Sequence, residues 1–308
     1  MALATGPLAR RTLAPRVVLV HRRTEREEIV AEQGTWGQAQ FVQRMRGVSL
    51  DAVQQRHERL GEALRTASAA VPKQWRRGSV LRDDLDRFLF EPEDVVVVVG
   101  QDGLVANTAK YLSGQPVIGV NPDPANGWGV LVQHAPQDLA GLLDAVADGS
   151  ARTEQRTMVR AETAEGDSIT ALNEVYLGHR GHQSARYRLS LPDGGQEHQS
   201  SSGLLVGTGT GATGWCLSAS RQRDGAFELP QPTDSALSWF VREAWPSPTT
   251  GADLTAGLLS GGQELSILVE SEELVVFGDG IEADRLSVGW GRSVTVRTSD
   301  RRLALVLP

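Results

Sequence analysis

Lysine is almost absent from this chain: Lys73 and Lys110 stand against 29 arginines. A P-loop needs a lysine directly after a glycine to reach the β and γ phosphates. Here Pro72 precedes Lys73 and Ala109 precedes Lys110, so Walker-type phosphate transfer is excluded. Cysteine is scarcer still. The single Cys216 has no partner for an internal disulfide, and with no hydrophobic signal segment the expected compartment is a reducing cytoplasm. Long apolar runs are missing too. None exceeds five residues, the length of the valine run 95–99, against about 20 residues for a membrane span, so a soluble protein without a membrane partner is expected. Nor is there an excess of base: 38 acidic residues outnumber 31 basic ones for a net charge of -7, which argues against a general nucleic-acid backbone binder. The first 16 residues carry Arg10, Arg11 and Arg16 and no acid, as some transit peptides do. The same arginine bias runs through the whole chain, and the expected location stays cytoplasmic.

What is present divides into two textures. The 308 residues favour two domains, each with bulk for a core. RVVLVH at 16–21 reads as a first strand, and after a polar stretch a helix runs from about Leu50 to Ala70. That helix carries Leu50, Val53, Leu60, Leu64 and Ala67 on one face, and Ser49 is placed to cap it. DVVVVVG at 94–100 lacks polar alternation, as a parallel strand buried on both faces does. A helix from about Leu104 to Leu112, the strand PVIGV at 116–120 and a helix from Pro136 to Ala147 stopped by Gly149 complete an open, mostly parallel α/β layer. Beyond it, Arg186 to Leu191 alternates strictly and PDGG supplies a hairpin turn. Short apolar runs recur at 204–206, 265–269, 274–277, 294–296 and 303–307. The expected division is residues 1–152, an α/β nucleotide- and phosphate-binding domain, and 153–308, a mainly β domain.

Three segments carry candidate chemistry. Gly100-Gln101-Asp102-Gly103 lies between a buried parallel strand and a helix start, where open α/β sheets place their ligand crevice and free helix N–H groups suit phosphate. Asp102 there either takes a proton from an attacking hydroxyl or merely caps the helix. The second segment, SSSGLLVGTGTGATGWCLS at 200–218, satisfies a literal G-x-G-x-x-G at Gly209, Gly211 and Gly214. Its surroundings are β-textured and turn-rich, so it is read as a decoy for the dinucleotide fingerprint. It remains a nucleotide-holding loop or a turn between domains. The third, Asn173-Glu174 within SITALNEVYL, puts two adjacent polar side chains in an apolar strand, either to hold sugar hydroxyls or to end the strand in water. His179 and His182 sit in a Gly- and Arg-rich loop with no cysteine near, and no metal-ligand set is assigned.

Taken in order, GQDG at 100, PVIGVNPDP at 116, NE at 173, GTGTGATGW at 207 and FGDG at 277 resemble the motif series of the NAD kinase family, within the diacylglycerol kinase and 6-phosphofructokinase superfamily. The GTGTG loop with Trp215 and the VIGVNPDP segment are more similar to its mitochondrial-type branch. The resemblance covers about Asp94 to Phe277. It implies a Rossmann-like N-terminal α/β domain and a C-terminal β-sandwich-like domain with nucleotides bound in the cleft between them. It also implies transfer of the ATP γ-phosphate, with Mg2+, to the 2'-hydroxyl of the adenosine ribose of NAD(H), by a homodimer or homotetramer. Carried over by the motifs, Asp102 is the general base, and Gly100, Gly103 and Asn121 belong to the phosphate side. Asn173 and Glu174 hold the dinucleotide. Ser202, Thr208, Thr210 and Gly211 belong to the nucleotide loop, and Thr213, Gly214, Trp215 and Ser218 embrace adenine and ribose.

This chain departs from the family pattern at several positions. The family's second glycine is Gln101, its following threonine is Leu104, and Ser202 stands for the usual aspartate. Gly209 replaces the loop proline and Ala212 its serine. The alternatives are a catalytically inactive NAD- or nucleotide-binding protein of the same fold, and a superfamily kinase acting on a sugar or lipid hydroxyl. The sequence does not separate ATP from polyphosphate as donor, nor NAD from NADH as acceptor.

Overall fold

A computed structural model describes residues 15–225 and 227–308. The chain forms two compact units, one running to Glu154 and taking back Ala304–Pro308, the other Gln155–Leu303. Arg10 and Arg11 of the arginine-rich start lie outside the described residues.

The first unit opens with β1 (Arg16–His21), α1 (Glu25–Gln33), α2 (Trp36–Met45) and α3 (Asp51–Ala70). The stretch between β1 and α3, which periodicity reads only as polar, therefore holds two helices. Caps rather than burial make them: Thr24 closes a capping box with Glu27, Thr35 caps α2, and α1 buries no residue while α2 buries only Ala39. α3 begins where expected, but Leu50 holds the N-cap position and Ser49 Oγ accepts the Asp51 N–H at 3.1 Å. Next come β2 (Arg76–Leu81), β3 (Asp94–Val99), α4 (Asp102–Ala109), β4 (Pro116–Val120) and α5 (Leu139–Asp148). α4 starts two residues before the expected Leu104, which puts Asp102 inside its first turn. Gly149, left-handed at φ 80, ends α5. β1 pairs in parallel with β2 on one side and β3 on the other, and β3 pairs in parallel with β4. The all-apolar β3 is buried along its whole length, with Val95, Val97 and Val99 packed in one cluster with α3 and α5 residues such as Ala67 and Leu143.

The second unit is antiparallel. It contains β5 (Thr153–Thr163), β6 (Ser168–Ala171), β7 (Glu174–Gly178), β8 (Ala185–Ser190), β9 (Gln196–Ser201), β10 (Gly203–Gly207), α6 (Trp215–Arg221), β11 (Ala236–Arg242), β12 (Ala256–Ser260), β13 (Glu264–Val269), β14 (Glu273–Gly278), β15 (Ile281–Gly289) and most of β16 (Ser293–Val306). One sheet runs β12-β11-β10-β7-β14-β15, and β16-β13-β8-β9 form a second, with β5 and β6 attached at β16. Residues of both sheets, among them Tyr187, Leu204, Trp239, Ile267 and Val276, form one buried cluster, the core of a sandwich. β8 keeps the expected alternation, with Tyr187 and Leu189 buried and Arg186 exposed. The runs 294–296 and 303–307, expected as separate strands, lie on the single strand β16 up to Val306. The last residues of that strand pair in parallel with β4 of the first unit, Leu305 opposite Val117.

Candidate functional site

The first unit places its candidate residues where strand order reverses. From β1 the chain moves to β2 on one side and then to β3 on the other, so β1 and β3 flank the switch point, and ligand crevices of open α/β sheets form at the carboxyl ends of such strands. A concavity of about 490 Å3 lies there, lined by Arg22, Gly100, Gln101, Asp102, Gly103 and Asn121 among others. Gln101, in place of a glycine, stands at the N-cap of α4 without a side-chain cap bond, and its Oε1 accepts from Arg22 at 3.4 Å. Leu104 is buried and turns away from solvent. Asn121 is also buried, and its side chain is spent on its own loop: Nδ2 donates to the Gly127 carbonyl at 2.7 Å and Oδ1 accepts the Asp123 N–H at 2.9 Å.

Of the two roles that its local sequence admits, Asp102 does not take that of helix cap. It is the first residue of α4 rather than its cap, and its carboxylate turns to the segment that follows the NPDP loop. Oδ2 accepts the Val130 N–H at 2.7 Å, while Oδ1 accepts those of Leu131 at 2.8 Å and Val132 at 3.0 Å. Gly129 lets this happen, because a Cβ there would overlap Asp102 Oδ1. The segment is tied to β4 by the His134 N–H donating to the Gly119 carbonyl and the Asn121 N–H to the His134 carbonyl. Nothing but Gly129 marks this clamp in the sequence, since backbone amides have no residue signature.

In the second unit Leu172 and Asn173 form a break between β6 and β7 and Glu174 opens β7, which corrects the reading of SITALNEVYL as one continuous strand. The break is organised from far along the chain. Asp279 accepts the Leu172 N–H at 2.9 Å and the Asn173 N–H at 2.7 Å, and its own N–H donates to the Glu174 carbonyl. Asp279 and Gly280 both take positive φ, 52 and 69, in the tight turn joining β14 to β15. Asp279 is not among the residues expected at the site; the D-G pair between apolar runs in FGDG is the signal that marks it. Burial and the Asp279 charge push the Glu174 carboxyl up to about 7.

The glycine loop follows β10, which lies antiparallel between β7 and β11, so the literal G-x-G-x-x-G stands outside any βαβ unit. Its glycines serve close approach: a Cβ on Gly211 would overlap the Asn173 carbonyl, and one on Gly209 the Gln231 carbonyl. Thr208 and Thr210 are buried. The Thr208 hydroxyl donates to the Leu172 carbonyl at 2.6 Å and accepts the Thr210 N–H at 3.1 Å, so it builds the loop around Asn173 and does not face solvent. Thr213, Gly214 and Ser218 are exposed and Trp215 is half-buried. Trp215 is stacked on Tyr176 with ring centroids 5.6 Å apart and carries the Arg242 guanidinium 5.1 Å from its ring centre. Ser202 is exposed; its N–H donates to the Arg242 carbonyl and its carbonyl accepts the Tyr176 hydroxyl. Tyr176 and Arg242, which fix the Trp215 ring, were not found from sequence. Cys216 is buried behind the loop, and burial pushes its thiol up to about 12, which leaves it unreactive.

No group of three or more His, Cys, Asp or Glu side chains converges among the described residues, so they present no protein-built metal cage. His179 and His182 lie with Arg180 and Glu270 in a separate polar groove of about 790 Å3.

No protein-family model matches the chain. It is 28% identical over 246 residues to an NAD kinase of Pseudomonas putida (strain W619), covering 75% of this chain and 76% of the relative. It is 26% identical over 253 residues to a probable NADH kinase of Oryza sativa subsp. japonica, covering 75% of each. Its fold is similar to that of an NAD kinase from Archaeoglobus fulgidus in complex with ATP, with TM-score 0.56, 17% identity and coverage of 95% of this chain and 93% of that one. It is similar also to yeast NADH kinase complexed with NADH, with TM-score 0.60, 13% identity and coverage of 99% and 84%. Over three quarters of its length the chain is thus similar to NAD and NADH kinases, and it shares the fold of their solved structures.

Proposed function

We propose that the protein transfers the γ-phosphate of ATP to the 2'-hydroxyl of the adenosine ribose of NAD(H), forming NADP(H) and ADP. One observation carries the reading: in a chain similar to NAD kinases, the Asp102 carboxylate stands in the first turn of α4, in the concavity at the carboxyl ends of β1 and β3. Phosphoryl transfer asks a protein chiefly for positioning and for charge neutralisation. The acceptor oxygen forms the new bond to γ-phosphorus as the bond to the β-bridging oxygen breaks, and the hydroxyl proton passes to Asp102. Gly100 and Gly103 leave the turn open to the donor phosphates, and Asn121 shapes the adjoining loop. Asn173 and Glu174 bind ribose hydroxyls, and the exposed Thr213, Gly214 and Ser218 with the half-buried Trp215 bind the adenosine. Mg2+ belongs to the proposal as the companion of the donor phosphates, whose oxygens are hard ligands suited to it. A homodimer or homotetramer working in the cytoplasm is part of the same reading.

A second reading, nucleotide binding without transfer, is favoured by the three amides that already occupy most of the Asp102 acceptor capacity. NADP formation from NAD, ATP and Mg2+, measured through an NADP-specific dehydrogenase, separates the two. The expected result is turnover that falls about 100-fold or more in Asp102→Ala. Measurable NAD binding with no turnover in the wild type selects the second reading instead.

A further inference from the structure

Resting on that reading, we propose that the Gly129–Val132 segment positions the base of the reaction, holding the Asp102 carboxylate so that only Oδ2 is open to the acceptor hydroxyl. A carboxylate offers about four acceptor directions. Oδ1 spends two, on the amides of Leu131 and Val132, and Oδ2 spends one, on that of Val130. The bare Cα of Gly129 closes off Oδ1 further, since a Cβ there would overlap that oxygen and stand 2.7 Å from Val132 Cγ2. The one direction left is on Oδ2.

The clamp is anchored on both sides. Asp102 is fixed by the start of α4, while Leu131 and Val132 are 2% and 3% exposed and their segment is bonded to Gly119 and Asn121 at the end of β4. Gly119 shows how close the two run, because a Cβ there would overlap the Leu131 carbonyl. A carboxylate fixed by three amides cannot rotate to present Oδ1, so the acceptor hydroxyl meets one oxygen in one orientation. Gly129 is thus a positioning residue that acts through Asp102.

The test compares the wild type, Gly129→Ala, Val130→Pro and the control Gly141→Ala. Gly141 is exposed on α5 with nothing within 4 Å of an added Cβ. Turnover of NAD with ATP and Mg2+ is measured beside NAD affinity by calorimetry and folding by thermal melting. The expected result is a kcat about 100-fold lower in Gly129→Ala, the size of loss a displacement of about 1 Å produces, with KM and Kd for NAD unchanged within about twofold and the control at wild-type rate. Val130→Pro, which deletes the N–H donor to Oδ2, is expected to lower kcat in the same way and serves where Gly129→Ala does not fold. A folded Gly129→Ala enzyme with wild-type kcat overturns the positioning role and leaves phosphotransfer standing. A fall in kcat accompanied by an equal loss of NAD affinity also overturns it. An inactive wild type overturns phosphotransfer and the positioning role together.

Discussion

Glu174 shows how much a single residue owes to its distant partner. Its carboxyl is pushed from the ordinary 4.5 up to about 7, first by burial and then by the Asp279 charge. The sign of the consequence follows from proton counting. Between pH 4.5 and about 7 the folded chain holds a proton on Glu174 that the unfolded chain has lost, so stability falls as pH rises through that window and the full penalty is present above it. Glu174→Gln removes the ionisable group. Its melting temperature relative to wild type is therefore expected to increase from pH 5 to pH 8, as followed by thermal denaturation of both proteins in matched buffers. A difference that stays constant across that range rules out the raised carboxyl. The adjacency of Asn173 and Glu174 is legible in the sequence, but the turn beside them is not, because its amides are held by Asp279 more than a hundred residues away.

Among the elements, what was legible is what water dictates locally. Five consecutive valines have no polar face, and β3 is buried on both sides as that demands. The strict alternation of β8 and the PDGG turn after it likewise settle a hairpin with β9. α1 and α2 escape a reading based on periodicity because they bury almost nothing, and their signal lies in their caps. β16 was read as two strands because Arg297, Asp300, Arg301 and Arg302 interrupt its apolar ends. The structure engages those side chains instead: Arg297 with Glu162 and Asp300, Arg301 with Thr170, Arg302 with the Thr233 carbonyl. The capping account of α1 makes a prediction. Thr24 accepts the Glu27 N–H at 3.3 Å and also bonds His57 Nδ1 of α3 at 2.8 Å. Thr24→Ala is expected to cost about 1 kcal/mol locally, seen as roughly fivefold faster hydrogen exchange of the α1 amides with α5 unaffected. Unchanged α1 exchange would mean that another contact holds the helix.

For the whole molecule, the question is what joins residues so far apart in sequence into one folded unit. The texture change near residue 152 signals two domains, yet no local pattern tells that the last five residues serve the first. They do so through parallel pairing with β4, through the His134 ring bonded to the Val306 carbonyl at 3.0 Å, and through the Leu307 N–H donating to the Arg152 carbonyl. Leu305 and Val306 are 0% and 1% exposed, and Val306 shares its hydrophobic cluster with Val97, Ile118 and Leu143. A fully buried Leu→Ala change costs about 2 to 5 kcal/mol, and Leu305→Ala removes such a side chain from directly beside β4. That cost is expected to fall on the first unit: the amides of β3 and β4, among the slowest to exchange in a wild-type sheet, should exchange by more than tenfold faster, while β7, β10 and β11 keep their protection. The pattern follows from which unit holds residues 304–308, not from their neighbours along the chain. Loss of protection spread equally over both units would instead mean that the protein unfolds as one cooperative body and that the chain's return is not a local repair of the parallel sheet.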